Sequence, residues 1–170
     1  MKKNRFLFAF ILLLIGQVCI YNFFRLTQFV TLSILPAMIM MIPIKRDTVA
    51  TLIISFISAF AVDFFAEGTL GINALSLVPV ALLRKPVIEL FFGSEPFEQK
   101  ENISVRKYGF ARVSMAVMLM TMLFLTIYTL ADCAGTRPFW FIATKVGLST
   151  AAGYLASICI INLLAYEDRR

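Results

Sequence analysis

Histidine is absent from this 170-residue chain, and charge is scarce, with Asp, Glu, Lys and Arg making up 15% of it. A soluble domain carries about 25%. Without histidine, a serine or cysteine nucleophile lacks its commonest base, and a Cys/His zinc site is excluded. Cysteine is limited to Cys19, Cys133 and Cys159, far apart in sequence, so a disulfide framework is not expected. Cys19 and Cys159 lie in apolar runs and read as small packing residues, whereas Cys133 falls in a short polar connection as a candidate free thiol. No pair of carboxylates marks a cleft. The expectation is a protein that is not an enzyme, with no catalytic residues, no metal and no cofactor.

What fills the sequence instead is apolar surface. Hydrophobic residues make up 60% of the chain and mean hydropathy is +0.86. A soluble protein of this size has no core large enough to hide so much, so the class is an all-α integral membrane protein forming a single polytopic domain over residues 1–170. The net charge of +6 then reports topology. No aromatic and arginine array accompanies it, and nucleic acid is not an expected partner. The basic then apolar start, Met1 to Ile15, lacks a small-residue cleavage site and reads as an uncleaved first span.

A crossing needs about 20 apolar residues. Six are expected, at about 6–24, 26–44, 48–66, 69–83, 113–131 and 146–165. Pro36 and Pro43 lie in the second, where membrane helices tolerate proline. The fourth is short and meets Arg84-Lys85-Pro86, after which residues 86–92 either continue the span or lie along the interface; the interface is expected, because two adjacent cations are costly at depth. Residues 93–109 form a polar loop, and Pro138-Phe139-Trp140-Phe141 reads as an aromatic belt. With six spans, all but three of the 16 basic residues (the exceptions being Arg25, Arg137 and Lys145) flank one side. The positive-inside rule places that side, both termini and the 93–109 loop in the cytoplasm.

The candidate site is the stretch AVDFFAEGTLGIN, residues 61–73, at the opposite, outer face. Ser55, Ala59, Asp63 and Glu67 recur every four residues, a small and polar stripe on a bulky helix. At its depth Asp63 needs a partner, a proton or water. Three roles are open: a cap on the turn from Gly68 to Asn73, a proton or ion path, or a contact to a partner. As a cap, through hydrogen bonds alone, it predicts a mild Asp63→Asn phenotype. Gly68 and Gly71 permit a tight reversal. Arg84 and Lys85 read as an orientation signal, with anionic headgroups or a partner as the alternatives. Lys145 is expected to snorkel to the outer headgroups or to pair with Asp132. Gly147 with Ala151, Ala152 with Ala156, and Gly153 with Ser157 are small pairs four apart, a helix-packing face for the chain itself or for a partner.

Asp63 followed by Gly68-Thr69-Leu70-Gly71-Ile72-Asn73-Ala74-Leu75, in a short chain with this span order, resembles the bacterial rod shape-determining MreD family. Val80-Ala81-Leu82-Leu83-Arg84-Lys85-Pro86-Val87-Ile88 looks like the end of that family's fourth span, and the likeness extends over roughly Thr51 to Phe92. The resemblance implies a non-enzymatic scaffold of the cell-wall elongation complex in the bacterial inner (cytoplasmic) membrane. Its implied partners are an MreC-like single-span protein and, through it, MreB filaments, a penicillin-binding transpeptidase and a membrane glycosyltransferase, with membrane lipids around it. The implied fold is similar to that of the substrate-binding subunits of energy-coupling-factor vitamin transporters, which supplies the alternative function. Against that alternative, the first span holds no Ala-x-x-x-Ala pair of the kind those subunits dock with.

Overall fold

A computed structural model describes residues 2–23, 30–67, 69–98, 103, 105–133 and 137–167. The described residues form helices joined by turns, with no strand. The long ones are α1 (Lys2–Phe23), α3 (Thr48–Val62), α4 (Ile72–Phe92), α7 (Phe110–Cys133) and α8 (Phe139–Glu167). Between them lie three short helices: α2 (Leu35–Met40), α5 (Glu95–Glu98) and α6 (Val105–Tyr108). Three stretches, Thr48–Ala66, Phe110–Cys133 and Phe139–Ile158, are long and apolar enough to cross a membrane, and Leu7–Phe23 is a shorter apolar helix.

The long helices are apolar all round, so burial does not follow a simple inside-outside stripe. On α3, Ser55, Ala59 and Val62 are buried while Val49, Ile53, Phe56 and Ile57 are exposed. Small and polar residues thus face the interior and bulky ones face outward, the pattern of a bundle whose surroundings are as apolar as its core. α4 packs between α3 and α7, and α8 packs on the far side of α7.

The second expected span is not a continuous helix. Val30 to Ile34 lie outside any helix, only Leu35–Met40 are helical, and residues 41–46 form turns. Two prolines set these limits. Pro36 sits in the first turn of α2, where its missing N–H is harmless. Pro43 cannot extend the helix, and a tight turn closes over it, with the Arg46 N–H donating to the Pro43 carbonyl at 3.1 Å. Every residue of α2 is buried, as are Ser33 and Ile34 before it, so the broken stretch is enclosed by the rest of the protein.

The polar backbone of this segment is satisfied by side chains from its neighbours. Gln17, on α1 and fully buried, works from both ends of its amide. Its Oε1 accepts from the Ile34 N–H at 2.7 Å and its Nε2 donates to the Leu32 carbonyl at 3.3 Å. From α8, Ser149 Oγ accepts from the Thr31 N–H at 2.9 Å. Ser33 Oγ accepts from the Leu35 N–H at 3.4 Å.

The fourth expected span also differs. α4 runs on through Pro79, Arg84, Lys85 and Pro86 to Phe92, so residues 86–92 continue the helix instead of lying as a separate interfacial piece. The cation at Arg84 is accommodated because it turns inward to protein carbonyls. Gly93 follows with φ of 74° and closes the helix. The 93–109 segment is not an open loop: it contains α5 and α6, and the Tyr108 ring packs edge-on against Phe92 at 5.1 Å.

α8 approaches the centre at Gly153. A Cβ there would lie 3.2 Å from Thr121 Cγ2 and 3.3 Å from the Ser33 carbonyl oxygen. Gly153→Val is therefore expected to cost about 1–3 kcal/mol by overpacking, read as a lower thermal midpoint of the detergent-purified chain. Gly147 is the control, since a Cβ added there would meet nothing within 4 Å. Gly147→Ala leaves the midpoint unchanged or slightly raised. Loss of stability at Gly147 and not at Gly153 would contradict this packing.

Candidate functional site

Asp63 stands where α3 changes character. α3 ends at Val62, and Asp63–Glu67 form one π-helical stretch. Such a widened turn commonly accompanies function. Here it redirects the chain into the reversal that starts α4. Among the N–H groups at the start of a helix, the first four have no partner within it. Asp63 supplies acceptors to that end from eight to eleven residues upstream. Its Oδ2 accepts from the Gly71 N–H at 3.0 Å and the Ala74 N–H at 3.3 Å. Its Oδ1 accepts from the Asn73 N–H at 3.0 Å and from Asn73 Nδ2 at 2.9 Å. Asp63 and Asn73 are both fully buried. A carboxylate against the positive end of α4 is electrostatically favourable.

Gly71 makes the geometry possible. It is the N-cap of α4 with φ of 100°, a conformation a side chain would strain, and its carbonyl accepts from the Leu75 N–H at 2.8 Å. α1 braces the turn from the side. Tyr21 O–H donates to Asn73 Oδ1 at 3.5 Å, and Asn22 Nδ2 donates to the Phe65 carbonyl of the π-helical stretch at 3.3 Å. The stripe of Ser55, Ala59 and Asp63 is buried along its length. The Glu67 side chain and Gly68 lie outside the described residues.

The other candidates separate into distinct places. Arg84 is buried inside the bundle, where its Nη2 donates to the Ile42 carbonyl and, at 3.5 Å, to the Met40 carbonyl. It thereby caps the C-terminal end of the interrupted second segment, which carries negative partial charge. Its folded-state role is therefore a contact inside the bundle, in addition to any part its charge plays in setting orientation. Lys85 is exposed, 4.0 Å from Glu89 and 5.7 Å from the centre of the Phe97 ring. Lys145 does not reach outward: it is buried, with its Nζ 2.7 Å from Asp132 Oδ2. On α8 the buried line is Lys145, Ser149, Gly153 and Ser157, whereas Gly147 and Ala151 face outward. The small pairs therefore lie on more than one face. Cys19 is exposed on α1, and Cys133 is the buried last residue of α7 instead of lying in a polar connection.

Three features escaped the sequence reading: Gln17, the Ser149 contact to Thr31, and the capping by Arg84. Only Arg84 carried a usable signal, as a cation placed where a span should continue. Among the described residues, no three acidic or thiol side chains gather as a metal site.

The described residues are thus those of a mainly helical protein without strands, with helices suited to a membrane, in which a buried carboxylate ties the α3–α4 turn. No protein-family model matches it, no curated protein matches it, and no solved structure matches it.

Proposed function

We propose that this chain is a six-crossing scaffold of the bacterial inner membrane with both termini in the cytoplasm, and that it serves the cell-wall elongation complex by holding an MreC-like single-span partner. The crossings are α1, the interrupted segment around α2, α3, α4, α7 and α8. The observation that carries this reading is the full engagement of Asp63. Both of its oxygens are taken up by the chain's own N–H groups. A carboxylate used in this way builds a turn and is spent as a proton carrier or ligand donor. That favours a scaffold over a transporter, and it gives a structural purpose to the residues that resemble the MreD family, Asp63, Gly71 and Asn73. Partner helices in a membrane associate by close packing and a few polar links, so a rigid outer turn is the kind of platform such a partner needs.

The test is recovery of the tagged chain from native membranes in mild detergent, with its companions identified by mass spectrometry. An MreC-like protein and wall-synthesis enzymes are the expected companions. An ATPase pair with a coupling membrane protein would overturn the scaffold in favour of an energy-coupling-factor transporter.

A further inference from the structure

Arg84 is a guanidinium taken out of water without an anion. It is 5% exposed, its polypeptide partners are two carbonyls, and its Nε is buried with no partner. Among the described residues, no carboxylate lies within ion-pair distance of it. Carbonyls at a helix end supply only about half a negative charge, and a cation at depth is normally paired. The rule that cations collect on the cytoplasmic side accounts for exposed lysines and arginines; it does not account for one folded inward.

The surroundings indicate what would complete it. The carbonyl of Ile42 begins the turn that brings Arg46 back to Pro43, so Lys45, exposed, and Arg46, half-buried, lie within one turn of the Arg84 contact. Lys85 follows on α4 and is exposed. The acids at this end among the described residues are Asp47, Glu89, Glu95 and Glu98, all exposed; Glu89 is shared with Lys85, and Glu95 and Glu98 flank the Phe97 ring that lies 5.7 Å from Lys85 Nζ. With the exposed Lys107 and Arg112 at the same end, six cations meet four carboxylates among the described residues. Beside them the flank of α4 is apolar and uncovered at Leu82, Leu83 and Leu90. A cationic end next to an apolar flank matches an anionic headgroup with its acyl chains.

We propose that the Ile42–Arg46 turn and Arg84–Lys85 of α4 form a binding site for the phosphate of an anionic membrane lipid. Arginine suits phosphate because its planar donors match the phosphate oxygens, and basic pockets between membrane helices are known takers of such headgroups. The phosphate would meet Arg46 and Lys45 at the surface and extend its charge toward the buried Arg84. The site is independent of the scaffold reading, since it concerns lipid and not the protein partner.

The full-length chain, purified in detergent, is titrated with short-chain phosphatidylglycerol and phosphatidylcholine, and bound lipid is counted by native mass spectrometry. Preference for phosphatidylglycerol is expected. Lys45→Gln and Arg46→Gln should each weaken it roughly fivefold with an unchanged thermal midpoint. Arg112→Gln, an exposed cation at the same end of the bundle, should leave it intact. Competition by inorganic phosphate would show that the phosphate group alone is recognised; preference that persists without such competition would assign the site to the headgroup at its membrane surface. Equal binding of the two lipids overturns the proposal. So does an equal loss with Arg112→Gln, which would mean diffuse attraction by surface charge.

Discussion

Asp63→Leu is expected to remove most of the folded chain from the membrane, and Asp63→Asn to fall clearly short of wild type. The leucine leaves the N–H groups of Gly71, Asn73 and Ala74 and the Asn73 amide facing an apolar side chain. Each buried donor left without an acceptor costs about 1–3 kcal/mol, so several together take a large part of a stability that is commonly about 5–15 kcal/mol. The asparagine is instructive because the sequence alone predicted a mild effect. Both carboxylate oxygens accept N–H bonds, two on each. An amide has one oxygen, so its NH₂ must point at two donors, and the expected cost is about 2 kcal/mol. The exchange Asp63→Asn with Asn73→Asp separates two accounts of the site. Were the side-chain pair all that mattered, exchange would restore stability. Because the backbone N–H groups of α4 need the acceptors, exchange is expected to fail. Membrane abundance and the thermal midpoint in detergent read all three variants. An Asp63→Asn protein as stable as wild type would show that the second oxygen is not carrying the turn.

The cap itself was legible because a lone carboxylate in an apolar run has few options and the glycines and asparagine that follow mark a reversal. Its bonding pattern was not legible, since which N–H meets which oxygen depends on the π-helical stretch at Asp63–Glu67, and no residue pattern announces that. The outline of the long helices was readable from apolar length. The second and fourth spans were misdrawn for one shared reason: hydropathy weighs side chains and ignores backbone polarity. Leu26 to Ile44 is apolar enough for a helix, yet Pro36 and Pro43 allow only a short one. Arg84 looked like the end of a span because its acceptors, the carbonyls of Met40 and Ile42, lie more than 40 residues away in sequence. A cation that reads as a helix stop is, in the fold, what lets another segment be broken. Lys145 and Asp132 show the easier case, a contact 13 residues apart across one connection, which sequence reasoning named as an option.

Gln17→Leu is expected to loosen the interrupted segment while leaving the long helices formed. Leucine keeps the size and apolar fit of the site but removes both amide functions. The Ile34 N–H and the Leu32 carbonyl then have no partner from α1. Unsatisfied backbone groups cost about 1–3 kcal/mol each in a protein interior, and more in the absence of water within a bilayer. The segment carrying them is non-helical, and among the described residues its polar backbone is also met by Ser149 of α8 and, beyond α2, by Arg84. The effect should therefore be local. Amide hydrogen exchange over residues 30–40 is expected to accelerate by at least about tenfold, the equivalent of 1.4 kcal/mol, while α7 stays protected. Gln17→Glu supplies the discriminating comparison. It keeps an acceptor for the Ile34 N–H but sets a carboxylate against the Leu32 carbonyl, so exchange should rise at Leu32 and its neighbours more than at Ile34. Uniform exchange across the whole chain in Gln17→Leu would mean that Gln17 supports the bundle as packing alone. Unchanged exchange over residues 30–40 would mean that Ser149 and Arg84 hold the segment without it. The expected local opening instead makes the Gln17 amide a strand-like neighbour, doing for a stretch of non-helical backbone what a second strand does in a sheet.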